Sequence, residues 1–139
     1  MQARSAISEM GQQARGAAGH VRPGAILAGV VAGFLFAVIA TSIIAVIYVR
    51  TSLSEAPLPW IISSVNLLSM ATAGLVAGRR AQTTGWLNGG LAGFGFAFAA
   101  ILISYALFPQ AVPLLVAAER LGLGLGLGLV GGTVGVNLA

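Results

Sequence analysis

Charged residues are scarce in this chain, and their scarcity decides its class. Only 7% of the 139 residues are charged and none is a lysine, whereas about 25% of the residues of a soluble domain carry a charge. Because 58% of the residues are hydrophobic, too few charges remain to cover a water-exposed surface. The composition therefore excludes an ordinary soluble protein and indicates a membrane protein.

Residues that carry chemistry are scarce as well. Cysteine is absent, which excludes disulfides, thiol chemistry and iron–sulfur clusters. One histidine and three acidic residues are too few ligands for an ordinary protein-built metal site. No pair of acids and no histidine beside a nucleophile supports catalysis. We therefore predict a protein without enzymatic activity, metal or cofactor.

Long uncharged runs are what the sequence has instead. A spanning helix needs about 20 mostly apolar residues, and the chain offers four such runs, over about 24–49, 58–78, 85–108 and 121–138. Prolines support these limits, because Pro23 and Pro57 fall in first turns, and Pro109 and Pro113 follow span three. Residues 113–120 are then predicted as a short helix at the membrane surface. The less favoured alternative is a span four that begins at Pro113, with Glu119 and Arg120 as an ion pair inside the membrane. The predicted fold is all-α, with a flexible cytoplasmic tail, 1–22, and a four-helix transmembrane domain, 23–139.

The arginines predict the direction of the chain through the membrane. Cytoplasmic loops of membrane proteins are enriched in arginine and lysine. Three arginines lie in the tail and two in the turn between spans two and three, against one at each of the other two junctions. This distribution predicts that the N-terminus and the C-terminus are both cytoplasmic. A net charge of +4 does not indicate nucleic-acid binding here, because the arginines are scattered at the edges of apolar runs.

Spans one and three contain similar segments. Residues 29–37 read GVVAGFLFA and residues 89–97 read GGLAGFGFA, identical at six of nine positions and 60 residues apart. A weaker similarity links residues 73–78 of span two with residues 131–136 of span four. These similarities predict a duplicated helical hairpin, in the form of a parallel repeat. Chance likeness between spans rich in glycine, alanine and phenylalanine is the alternative.

Small residues spaced four apart recur in the spans and allow membrane helices to approach closely. Packing within one chain and the face of a homodimer both fit this spacing, and Leu127, between two such glycines, is expected to face lipid. The candidate packing residues are Gly29, Gly33, Gly89, Gly93, Gly128 and Gly132.

Three amides are the candidate polar residues within the membrane. Asn66 is the deepest, while Asn88 and Asn137 lie nearer the cytoplasmic face. Hydrogen bonding between helices is favoured over a solute site for all three, and both interpretations stay open.

Two segments resemble a known group of proteins. Residues 78–89 read GRRAQTTGWLNG, and residues 131–138 read GGTVGVNL. Both are similar to the YrzE-like family of small, uncharacterised four-span membrane proteins of Gram-positive bacteria. The resemblance covers about residues 23–139 and implies four spans in a bacterial cytoplasmic membrane. It implies no activity and no functional residue.

Two hypotheses about function follow from these features. The first is a non-enzymatic integral membrane protein that acts through helix packing, as a small subunit or accessory factor. The alternative is a transporter of a small solute or a lipid that works as a dimer, which the predicted repeat and the polar face of span two motivate. The expected partners are the lipid bilayer and a second copy or another membrane protein, but no nucleic acid.

Overall fold

The computed structural model describes residues 2–17, 20–108, 110 and 112–139. Its helices are α1 (Gln2–Ala17), α2 (Pro23–Arg50), α3 (Leu58–Ala81), α4 (Gly85–Leu107) and α5 (Leu114–Asn137). The last four are long and apolar enough to cross a membrane, and no β-strand occurs in the described part of the chain. The predicted all-helical fold with four apolar spans is therefore confirmed.

The start of α5 differs from the sequence-based boundary. The helix begins directly after Pro113, so the short surface helix predicted over residues 113–120 is in fact the first part of α5. The physical reason is that residues 114–120, LLVAAER, contain only good or moderate helix formers and no breaker. Pro109, which the prediction uses to end span three, lies outside the described residues.

The N-terminal segment forms a helix, α1, where the sequence analysis expects a flexible tail. Its alanine, glutamine and arginine residues have high helix propensity. The described residues of α1 contact none of the other helices, and the side chains of Ile7 and Met10 are exposed. Mobility of this segment relative to the bundle stays a prediction.

The four long helices pack with α3 and α4 at the centre. Each of these two contacts the other three long helices, whereas α2 and α5 do not touch each other within the described part of the chain. In its most apolar stretch, α2 is only 6% buried, against 33% for α3 and for α4. The bundle therefore has one peripheral helix, α2, that is exposed along most of its length.

Short connections make consecutive long helices antiparallel and give the bundle two distinct ends. The arginine end carries Arg22, Arg79, Arg80 and the C-terminus. The loop end carries the α2–α3 and α4–α5 connections. At the arginine end, α3 and α4 are joined by a tight turn in which the Thr83 N–H donates to the Ala81 carbonyl at 2.7 Å.

The two hairpins, α2–α3 and α4–α5, pack through matching positions. In α2, Gly29 and Gly33 of the repeated motif both lie against Ala73 of α3. Their counterparts in α4, Gly89 and Gly93, both lie against Gly128 of α5. Ala73 therefore corresponds to Gly128 in the packing, whereas the sequence similarity aligns it with Gly131. The duplication stays a prediction, and the contacts match the two hairpins in a different register from the one that the sequence similarity gives.

Candidate functional site

The six glycines predicted to pack helices all lie between helices of this one chain. Each is buried. A β-carbon built on Gly33 would lie 3.0 Å from the β-carbon of Ala73, and one built on Gly89 would lie 2.6 Å from the carbonyl oxygen of Gly128. Side chains do not fit at such distances unless a helix moves. These glycines therefore let neighbouring backbones touch.

Helix α5 uses its glycines to contact two helices at once. Gly128 and Gly132 meet glycines of α3 on one side and glycines of α4 on the other. Lipid tails give little hydrophobic drive between helices, so close backbone contact of this kind must hold α5 in the bundle. We call this contact the glycine seam; it comprises Gly128 and Gly132 with their partners Gly74, Gly78, Gly85, Gly89, Gly90 and Gly93.

The opposite side of α5 also carries glycine but no packing. A β-carbon on Gly122 or Gly126 would meet nothing within 4 Å, and both residues are exposed. Leu127, which was expected to face lipid, is instead partly buried and packs against the core cluster of Met70, Ala73, Phe96 and Ala97. That expectation is wrong because the position lies on the side of α5 that turns towards the core.

Asn88 joins the start of α4 to the segment that precedes α2. Its side chain is fully buried, and its Oδ1 accepts from the Arg22 N–H at 2.8 Å. Its Nδ2 donates to the Thr84 carbonyl at 2.9 Å and to the His20 carbonyl at 3.3 Å. Every polar atom of this buried amide is thus satisfied, and the arrangement holds the first turn of α2 in place.

The hydroxyl groups of α3 bond within their own helix. Ser63, Ser69 and Thr72 each donate to the carbonyl four residues earlier, at 2.7–2.8 Å. Such bonds satisfy a hydroxyl in an apolar environment without a partner helix. These residues therefore do not join helices.

Asn66 lies in a groove on the side of the bundle, between α3 and α5. The groove has a volume of about 260 Å³ and is open near the loop end. Asn66 is half-buried there, while Glu119 and Arg120 of α5 are exposed. We call this groove between α3 and α5 the polar groove; it is lined by Ser63, Asn66, Leu67, Val116, Glu119, Arg120 and Leu123.

The two charges of the polar groove belong to a helix that is long enough to span the membrane. Glu119 and Arg120 are the sixth and seventh residues of α5, about 8–9 Å along the axis from its start. The helix is about 36 Å long against a hydrocarbon core of about 30 Å. A centred α5 would place Glu119 about 5 Å inside the hydrocarbon.

The three candidate amides are not brought together. Asn66 lies in the half of the bundle towards the loop end, whereas Asn88 and Asn137 lie at the arginine end, and Asn137 is exposed. The sequence identifies Asn66 as a candidate but does not place it in one groove with Glu119 and Arg120. The available signal was a pair of charges six residues into an otherwise apolar run, which marks a functional-site candidate in a spanning helix.

Comparison with known proteins agrees with this architecture. A profile of the family described as "Protein of unknown function (DUF3792)" matches residues 23–135. The chain is 28% identical over 113 residues to the "Uncharacterized membrane protein YrzE" of Bacillus subtilis (strain 168), covering 81% of this chain and 75% of that protein. No solved structure matches the chain. The predicted YrzE-like resemblance is thereby confirmed, and with the four apolar helices it supports a multi-pass membrane protein.

Proposed function

The chain belongs to the DUF3792 family, and we propose that it works as a non-enzymatic small subunit or accessory factor of another membrane protein. In this proposal the polar groove receives one transmembrane helix of that partner. The observation that carries it is the sideways exposure of Glu119 and Arg120 on a helix of spanning length.

Uncovered charge on the side of a membrane bundle is costly. Charged side chains in spanning helices normally face a bundle interior, a water-filled cavity or each other, and at the helix centre each costs about 2.5–3.5 kcal/mol. Arginine can reach the interface with its long side chain, but the shorter Glu119 side chain cannot reach as far. A partner helix that supplies a donor to Glu119 and an acceptor to Arg120 would remove this cost.

The surface beside the polar groove suits a helix better than it suits lipid tails. On the open side of α5, Gly122 and Gly126 leave room for close approach of a second backbone. Small residues four apart are typical of helix contacts in membranes, whereas lipid-facing positions are usually large and apolar. Shape and polarity together thus favour a transmembrane helix that carries small and polar residues at the same depth.

We further propose that the bundle lies in the bacterial cytoplasmic membrane with the arginine end in the cytoplasm. The positive-inside rule supports this orientation, since Arg22, Arg79 and Arg80 gather at one end. The polar groove would then open towards the outer half of the bilayer. The transporter alternative stays a prediction of the sequence, and the glycine seam, which closes the space between α3, α4 and α5, lends it no support.

Photo-crosslinking from the polar groove tests the proposal in intact cells. A photoreactive amino acid at Leu123, which lines the groove, is expected to give one adduct with a different protein. The matched control is Ile39, which is 59% exposed on α2 at a similar depth from the loop end. The double change Glu119→Gln and Arg120→Gln should abolish the Leu123 adduct while the bundle stays folded.

The alternative outcomes separate the occupants of the groove. An adduct between two differently tagged copies would replace the proposed partner by a homodimer. Adducts with lipid alone, or equal protein adducts from Leu123 and Ile39, would contradict a docking function. An adduct that survives the double charge change would show that the charges do not recognise the partner.

A further inference from the structure

A second groove, distinct from the polar groove, lies between α2 and α3 at the arginine end. It has a volume of about 460 Å³. One wall is a stripe of α2 that includes Leu27, Val31 and Leu35, and the other is formed by Val76 and Arg80 of α3. The groove is therefore apolar along its length and ends at a cation.

The length of this groove matches one leaflet of a bilayer. Its wall on α2 runs from Gly24 to Leu35, which is about 16 Å along the helix axis. Half of a hydrocarbon core is about 15 Å. A single acyl chain that lies along α2 would fill the groove from the membrane surface to the bilayer centre.

The charge at the mouth of the groove has no acidic partner in the described bundle. Arg80 is exposed, and two of the acids of the chain, Glu55 and Glu119, belong to the loop-end half. The third, Glu9, lies in α1, which contacts no other helix. Arg80 can therefore pair with an anion from outside the chain at the mouth of this apolar groove.

We propose that this groove binds one anionic phospholipid, with an acyl chain along α2 and the headgroup phosphate on Arg80. Basic residues at the cytoplasmic mouth of apolar clefts between spanning helices are suited to such headgroups. The guanidinium can donate hydrogen bonds to two phosphate oxygens at once. A zwitterionic headgroup should bind more weakly, because its own ammonium competes with Arg80 for the phosphate. The site does not depend on the partner helix proposed for the polar groove.

Native mass spectrometry of the full chain with bound lipid tests this site. The protein would be purified in detergent and offered phosphatidylglycerol and phosphatidylethanolamine in equal amounts. Wild-type protein should retain phosphatidylglycerol preferentially, and Arg80→Gln should reduce that retention about fivefold, as expected for one arginine near an anionic surface. The matched control is Arg79→Gln, since Arg79 is exposed at the same end but does not line the groove.

A second pair of variants tests the acyl-chain half of the site. Ala28→Phe would fill the groove, because Ala28 lines it, and should lower retention as much as Arg80→Gln does. Val38→Phe, on an exposed part of α2, should leave retention unchanged. Thermal unfolding of every variant in detergent is the control that tests whether the bundle is still folded.

Three results would overturn the proposal. Equal retention of the two lipids by wild-type protein would remove the preference for an anion. Equal losses of phosphatidylglycerol retention for Arg80→Gln and Arg79→Gln would show that general surface charge, and not this groove, retains the lipid. Displacement of the lipid by millimolar inorganic phosphate would show a site for a free anion instead of a lipid.

Discussion

Gly128 shows how a missing side chain can hold a membrane bundle together. A β-carbon on Gly128 would clash with Gly89 of α4, and its own backbone lies where a β-carbon on Gly74 of α3 would be. We expect Gly128→Leu to lower the free energy of unfolding by more than the roughly 1–3 kcal/mol typical of overpacking. The matched change Gly126→Leu, on the open side of the same helix, should cost little. Unfolding in mixed detergent, followed by tryptophan fluorescence, measures both.

The Gly126 variant is a better control than a change at Leu127. Leu127 packs against the core, so Leu127→Ala would leave a cavity and destabilise the bundle for a different reason. Similar losses for Gly128→Leu and Gly126→Leu would mean that the glycine seam is not where α5 is held.

Asn88 is the polar counterpart of the glycine seam. Replacing it by leucine would leave the Arg22 N–H without its present partner, and the His20 carbonyl would keep only the Thr84 hydroxyl as a donor. Orphaned groups of this kind cost about 1–3 kcal/mol when buried. Asn88→Leu should therefore destabilise the bundle by about this amount. Asn137→Leu, at an exposed position of the same end, is the control and should have little effect.

An intermediate variant separates the two halves of this amide. Asn88→Asp retains an acceptor for the Arg22 N–H but loses both Nδ2 donors. Its loss of stability should therefore fall between that of Asn88→Leu and that of Asn137→Leu. If Asn88→Leu were as stable as the wild-type protein, the hydrogen bonds seen here would not hold α2 to α4.

At the scale of a single element, the continuity of α5 can be tested with proline. Ala118 lies in the second turn of α5, where proline removes a hydrogen bond and clashes with the carbonyl four residues earlier, at a cost of about 3 kcal/mol or more. Ala118→Pro should therefore strongly reduce accumulation of folded protein. Leu114→Pro is the control, because Leu114 is the first residue of the helix and needs no donor there. Equal accumulation would indicate a break between residues 114 and 121.

The elements themselves were largely predictable from the sequence. The lengths of the hydrophobic runs and the positions of the prolines predict α2, α3 and α4. A spanning segment must reach a minimum length, and within lipid only a helix satisfies the backbone hydrogen bonds of a single segment. The start of α5 was missed because a glutamate and an arginine were assumed to stay outside the span. Helix propensity alone would have continued α5 through them.

The candidate sites were less predictable, because they depend on which side of a helix faces which neighbour. The sequence identifies glycines four apart, but Gly124 and Gly126 differ only in rotation about α5, and one is packed while the other is open. Asn66 and Glu119, which are far apart in the chain, line the same polar groove. Neither the rotation nor this proximity follows from spacing along a single helix.

Across the whole molecule, the four long helices differ in the fraction of their surface that is buried in the bundle. Most of α2 is exposed, while α3 and α4 each pack against the other three long helices. The polar groove, which uses α5, and the proposed lipid groove, which uses α2, lie at opposite ends of the bundle. The two sites can therefore be occupied at the same time and tested independently.

The orientation of the whole molecule is the prediction on which the cellular meaning of both sites depends. Single cysteines can be introduced freely because the chain has none. We expect cysteines at Thr83 and Ala139 to resist a membrane-impermeant thiol reagent in intact cells and to react after permeabilisation. Cysteines at Ser54 and Gln110 should react from outside. The arginines at one end of the bundle are the physical reason. Thr83 is preferred to Gln82, whose φ of 61° makes its backbone sensitive to substitution.

Each pattern of labelling has a distinct consequence. External reaction at both Ala139 and Gln110 would mean that α5 does not cross the membrane, and Glu119 would then lie in no span. External reaction at Thr83 with protection of Ser54 would invert the bundle. The lipid groove would then open in the outer leaflet, where anionic lipid exerts no such cytoplasmic surface potential. Only the predicted pattern puts Arg80 in the cytoplasmic leaflet and the polar groove in the outer half of the bilayer.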